Sequence, residues 1–359
     1  MSTLICLFSL GGIMTDYFLS RVKHATLFQV LSILFCVQVI VIVLGLKLGF
    51  VEIDLVKVLQ DYYMYGNDNS LINVIFELRL PRVLLALCVG MGLTLSGIIM
   101  QGIVENPLAD PYVLGISSGA NLGAAVAIFL GLGTMYGSGV VSIFAFLGSI
   151  ASSFLVMIIA NQSGGKDTAK LLLGGIAIGL ICSSVSGFLV YKGSEKESME
   201  ALSFWLMGNV GNAHIEDVLI LFGVVAVIFA YFLTQIRVLN VMLLGYETAI
   251  ILGINLTNYV YKYLIVNGIL VGLIVYNAGL IGFVGLIIPH ITRSFIGSNH
   301  QKLLPVAVMV GGIFTVLMDI LSRTIARGVE IPLGVMFALV GSPILIYLVI
   351  KRSYGFFGE

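Results

Sequence analysis

The sequence predicts an all-α, polytopic membrane protein of about ten transmembrane helices, each of roughly 20 apolar residues. Three observations predict it. First, 59% of the 359 residues are hydrophobic and 10% are charged, where a soluble domain carries about 25% charge. So few charges cannot cover a water-facing surface, and the mean hydropathy is +1.10. Second, apolar runs long enough to cross a hydrocarbon core of roughly 30 Å recur along the chain. Third, short polar breaks rich in Pro, Asn, Asp and Lys separate those runs. The formal net charge is zero, so no basic field recruits nucleic acid.

Residues 1–14 are apolar but too short to span, and they carry neither a basic leader nor a clear small-residue cleavage site. Met14 is a second possible start, and residues 1–26 read as a cytoplasmic N-terminal extension before the membrane domain, 27–353. The first span is 27–46. The segment Lys47–Leu78, with Asp54, Lys57, Asp61 and Asn67, reads as external and partly helical at the membrane surface. The second span, 83–104, follows Arg79 and Arg82. It ends at Glu105-Asn106-Pro107-Leu108-Ala109-Asp110-Pro111. Because prolines remove backbone donors, this break is a surface turn or a protein-lined re-entrant segment, never lipid-exposed backbone.

The third span is 113–132, the fourth 138–160 and the fifth 169–191, with the polar break 161–168 between the last two. Residues 198–209 form a short amphipathic helix whose Trp205 suits an interface. The sixth span is 215–236. Residues 239–255 are too polar to span comfortably and read as two short helices with a turn near Gly245. A surface helix pair of this kind suits a groove on a soluble partner, although the residues alone favour a plain membrane-surface connection. Spans at 259–278, 279–297, 303–325 and 333–350 complete the set. Rows of glycine at four-residue spacing, Gly115/Gly119/Gly123, Gly175/Gly179 and Gly268/Gly272, let helices approach closely in lipid.

An even number of spans puts both ends on one side. Ten Lys and Arg then fall inside and eight outside, a slight positive-inside bias that Arg79, Arg82 and Arg323 oppose. Catalytic signatures are absent from the pattern. Ser163-Gly-Gly165-Lys166 resembles a phosphate-loop fragment, but Asp167 stands where Ser or Thr is needed. The four cysteines and four histidines are scattered without ligand spacing, so no metal site and no bound cofactor is expected. Asp319 is a lone acid within a span, a functional residue by default. Arg323, one turn on, is a ready ion-pair partner.

Seven blocks carry a family resemblance: LRLPR (78–82), SGIIMQGIVENPLADPYVLGISSGA (96–120), LLLGGIAIG (171–179), FWLMGN (204–209), LGYETAIILGI (244–254), GLIGFVGLIIPHITR (279–293) and IPLGVMFALVGSPILIYL (331–348). Their order and content closely resemble the FecCD-type permeases of ABC importers, the group that includes cobalamin, haem and ferric-siderophore permeases. The resemblance implies a cobalamin-permease-like, type II importer bundle acting as a homodimer or with a paralogue. Two ATPase subunits would bind ATP on one side, and a substrate-binding protein would dock on the other. Leu244, Gly245, Glu247, Ala249 and Gly253 match the block that couples the permease to its ATPases, within coupling helices at 239–258. Arg79, Arg82 and Arg323 match arginines that meet carboxylates of the binding protein. Thr168, with Ala169 beside it, falls at a cytoplasmic gate. Asn106, Pro107, Asp110, Pro111, Pro289 and His290 belong to structural motifs. The expected cargo is an iron complex, a ferric siderophore first, with haem, cobalamin or an oxyanion as runner-up. An ion-coupled secondary transporter is the alternative from another class.

Overall fold

A computed structural model describes residues 26–351, apart from 50, 52, 55, 59, 61–69, 113, 162–167, 194–195 and 327–328. The N-terminal extension, 1–26, therefore lies outside the described residues except for Thr26, which caps α1. The described chain is helical: α1 (Leu27–Lys47), α2 (Ser70–Asn73), a π-helical turn (Val74–Arg79), α3 (Leu80–Val104), α4 (Ile116–Phe129), α5 (Leu132–Tyr136) and α6 (Ser138–Asn161). Then follow α7 (Thr168–Lys192), α8 (Lys196–Leu206), α9 (Ile215–Thr234), α10 (Ile236–Met242), α11 (Tyr246–Ile251), α12 (Leu256–Ala278), α13 (Val284–Ile296), α14 (His300–Thr324) and α15 (Leu333–Lys351). Among the described residues seven helices are long and apolar enough to cross a membrane, and the shorter apolar helices Ile116–Phe129, Val284–Ile296 and Leu333–Tyr347 bring the set to the expected ten.

The bundle is built around α3. Its apolar window is 89% buried inside the protein, against 6% for α1, which lies on the outside. Helices α9, α12, α13 and α14 pack on α3, and α4, α6 and α7 form a second group joined through α6 to α12. Without a hydrophobic driving force between helices in lipid, close backbone approach must hold such a bundle. The predicted glycine rows fall at these crossings: Gly115 against Gly175 and Gly179 of α7, Gly119 and Gly123 against Gly148 and Phe144 of α6, and Gly268 and Gly272 against Ser153 and Ser149 of α6.

The tightest crossing joins α3 to α13. Pro289 inside α13 has no N–H to give the carbonyl four residues back, which belongs to Gly285. Gly97 of α3 lies directly against that carbonyl, where a Cβ would collide with it. Pro111 packs on the Gly285 side as well, and the break after α3 buries Pro107, Ala109 and Pro111 against protein while Glu105 and Asn106 stay exposed.

Three boundaries differ from the sequence-based expectation. The third span runs over fourteen residues rather than 113–132, because Gly131 turns the chain at φ +68 and it restarts as α5. The 279–297 span narrows to thirteen residues between Phe283 (φ +70) and Gly297 (φ +85). Residues 70–79, read as surface, continue into α3: Pro81 cannot bond back to the chain, and the helix passes it with a π turn in which the Leu80 N–H reaches Ile75.

Candidate functional site

Polar groups gather at the two ends of the bundle. At one end the C-terminus of α1, the N-terminus of α3, the C-terminus of α14 and the loop after it converge on three arginines. Asp319 is fully buried and accepts from two of them. Arg82 Nε and Nη2 each lie 2.8 Å from its Oδ1, and Arg323 Nη2 lies 2.7 Å from its Oδ2. Arg82 also pairs with Glu330, whose side chain is 30% exposed. Arg79 donates to the Leu46 and Lys47 carbonyls at 2.8 and 2.9 Å and to the Val51 carbonyl. The Leu46 and Lys47 carbonyls end α1 and have no helical partner, so a cation there satisfies the helix and its dipole together. Arg323 reaches the Gly45 carbonyl of the same helix at 3.3 Å.

The expected Asp319–Arg323 pair is therefore present, within a network that ties together α1, α3 and α14. Arg79 and Arg323 are buried and spend their donors inside the chain. Arg82 is the member whose second partner is itself solvent-accessible. Glu330 escaped the sequence reading because nothing local links it to Arg82, 248 residues away.

A cavity of ≈ 490 Å³ opens near this end, with Trp205, Asn209, His214, Asp217, Tyr276 and Asn277 in its lining. Among the described residues no group of three His, Cys, Asp or Glu could hold a metal ion.

At the opposite end α3 stops at Glu105, which takes the left-handed conformation (φ 56) while Asn106 N–H returns to the Gln101 carbonyl at 3.2 Å. The Asn-Pro…Asp-Pro break folds by local side-chain bonds: Asn106 Oδ1 accepts from Leu108 N–H at 2.9 Å and Asp110 Oδ1 from Tyr112 N–H at 2.8 Å. Pro107 and Pro111 are buried. Burial pushes the Asp110 carboxyl up to about 6, against the Tyr112 N–H, which pulls it down. Pro289 sits buried in α13, and the carbonyl of half-buried His290 accepts from Ser294 Oγ at 3.1 Å.

The predicted helix pair lies beside this break. Gly245 turns the chain at φ +86 between α10 and α11 and faces the Glu105 carboxylate. In α10, Leu239 and Met242 are fully buried, with Met242 against Gly102 of α3. Helix α11 is the reverse. It buries Ala249 alone and leaves Glu247, Ile250 and Ile251 exposed, with Ile251 at 84%, and Leu244 and Leu252, which flank it, are exposed too. Gly253 (φ +73) ends it. An apolar face held out from the end of a bundle fits an interaction surface. Thr168 begins α7, and its side chain lies outside the described residues.

Residues 37–351 match the FecCD transport family. The chain belongs to this family. It is similar to the hemin transport system permease protein HmuU of Yersinia pestis, 36% identical over 80% of this chain and 86% of that one. It is 39% identical to the cobalamin import system permease protein BtuC of Halobacterium salinarum, over 78% and 74% of the two chains. The molybdate import system permease protein MolB of Haemophilus influenzae is 36% identical over 80% and 83%. A solved inward-facing metal-chelate type ABC transporter superposes with a TM-score of 0.78 at 32% identity, covering 91% of this chain and all of the other. Membership of the FecCD family makes the chain a multi-pass permease subunit of an ABC importer in the cytoplasmic membrane, not an enzyme. As a FecCD permease it works with an ATPase carried on other chains.

Proposed function

We propose that the chain forms one half of a translocation path for an iron complex, a ferric siderophore in the first place, with a second copy or a paralogue as the other half. Two ATPase subunits dock on the α10–α11 end and hold the ATP; this chain binds no cofactor of its own. A substrate-binding protein docks on the arginine end. The observation that carries the reading is α11, whose exposed Ile250, Ile251 and Leu252 and exposed Glu247 face away from the bundle. They suit a groove on a soluble partner, while anchored α10 transmits the partner's movement. Leu244, Gly245, Glu247, Ala249 and Gly253 are the coupling residues, and Thr168 belongs to the inner gate. At the other end three guanidinium groups face two carboxylates, an excess of positive charge that suits an acidic partner. Arg82, through exchange of Glu330, is the arginine such a partner reaches first, with Arg79 and Arg323 supporting it.

Secondary transport coupled to an ion loses its strongest support, because Asp319, the acid such a mechanism would use, is shared between Arg82 and Arg323. Haem, cobalamin or an oxyanion remains the runner-up cargo, since relatives named for hemin, cobalamin and molybdate match this chain at similar identity.

The test is ATP-dependent uptake into proteoliposomes holding the permease, its ATPase and its binding protein, with labelled ferric siderophores, hemin, cyanocobalamin and molybdate offered in parallel. Accumulation of a ferric siderophore supports the cargo, and accumulation of another member replaces it. In the same vesicles Glu247→Arg is expected to abolish uptake while ATP hydrolysis continues. Uptake at the wild-type rate would refute the coupling role.

A further inference from the structure

Asn240 binds the coupling segment to a single long helix, and that helix ends in the arginine network. Both ends of its amide are used. Asn240 Oδ1 accepts from the His300 backbone N–H at 2.9 Å and faces His300 Nδ1 at 2.9 Å. Its Nδ2 donates to Asn299 Oδ1 at 3.1 Å. An acceptor opposite Nδ1 requires the proton to sit on that nitrogen. Asn299 is meanwhile the N-cap of α14, accepting from Gln301 N–H at 2.9 Å. The His300 side chain is fully buried, as are Leu239 and Met242 on either side of Asn240. Helix α10 is thus clamped to the first turn of α14 by these hydrogen bonds, with its apolar face buried in the bundle, while α11, past the Gly245 turn, makes none of these bonds.

From that clamp α14 runs 25 residues to Thr324, about 37 Å at 1.5 Å per residue. It packs along α3 and α1 and carries Asp319 and Arg323 at its far end. Packed helices shift as units rather than compress.

We propose that Asn240 is a positioning residue that locks α10 to α14, so that α14 carries the displacement of the ATPase-facing helices to the arginine–carboxylate network at the other end of the molecule. The proposal rests on the coupling reading of α10 and α11 above. It assigns Asn240 and His300 a part in transport that neither the catalysing partner nor the cargo touches.

Two measurements on the full complex test it. Asn240→Ala is expected to lower uptake per ATP hydrolysed about ten-fold, with the ATPase still co-purifying and hydrolysing. A variant keeping the wild-type ratio overturns the proposal. A purely structural role would lower assembly and hydrolysis together and leave the ratio unchanged. The second measurement leaves the joint intact. In a background with Cys6, Cys36, Cys88 and Cys182 replaced, spin labels are placed on exposed Arg237 and Gln301, across the clamp, and on exposed Gln301 and Thr324, along α14 and past Pro305. Both distances are expected to stay constant between nucleotide-free and ATP-trapped states while the wild-type complex transports. A nucleotide-dependent change in either pair overturns the rigid strut, even if Asn240→Ala fails to fold. A wild-type complex with no ATP-driven uptake of any cargo offered is a separate result, and it counts against the importer reading itself.

Discussion

Asp319 is the residue on which the arginine end depends. It is fully buried and bonded to two guanidinium groups. Removing one partner of a buried ion pair leaves uncompensated charge and costs about 3–5 kcal/mol. Asp319→Ala is therefore expected to lower the melting temperature of the detergent-solubilised permease sharply, and Glu330→Ala much less, because Glu330 is partly solvated. Equal losses would contradict the hierarchy. Asp110 behaves in the opposite sense. Its folded carboxyl holds a proton up to about pH 6, whereas its ordinary value is 3.8. The stability it contributes is complete below that ordinary value and is lost as pH rises towards 6. Asp110→Asn keeps an acceptor for the Tyr112 N–H and removes the charge. Its thermal stability should stay level between pH 4 and 6 where that of the wild type falls; parallel curves would sink the assignment. At this scale the Asp319–Arg323 pair was legible, because four residues on a helix make neighbours. Arg82 and Glu330 were not, because their approach is set by how α3 and α14 pack.

Elements were more legible than contacts. Hydropathy located the long helices to within a few residues, and Gly245 marked the turn between α10 and α11 because a left-handed residue was needed there. The errors came where backbone geometry overrode hydropathy. Gly131 stopped α4 inside an apolar run, Phe283 and Gly297 shortened α13, and Pro81 drew the helix start back through a π turn. The α3–α13 crossing allows a direct check. Gly97→Ala drives a Cβ into the Gly285 carbonyl and should destabilise by about 1–3 kcal/mol or more, as overpacking does. Gly223→Ala, on an open face of α9 with nothing near its Cβ, should be neutral or stabilising by up to about 1 kcal/mol through helix propensity. Thermal unfolding of the two variants side by side separates them, and equal stability would show that α3 and α13 do not meet as described.

Across the whole molecule, the two candidate surfaces sit at opposite ends of α3 and α14. One is a buried arginine–carboxylate network in which Arg82 pairs with the partly solvated Glu330. The other is a short helix presenting apolar side chains and Glu247. An importer permease driven from elsewhere needs this division: one end to receive cargo, the other to receive force, and stiff helices between them. A transporter driven by an ion gradient would instead need an unpaired ionisable group within the bundle, and Asp319 is already shared by two arginines. The most direct measurement is accumulation of a labelled ferric siderophore in proteoliposomes containing the permease and its binding protein, with and without the ATPase and ATP. Uptake is predicted only when the ATPase and ATP are present, whatever proton or sodium gradient is imposed. Gradient-driven accumulation by the permease without any ATPase would contradict the account.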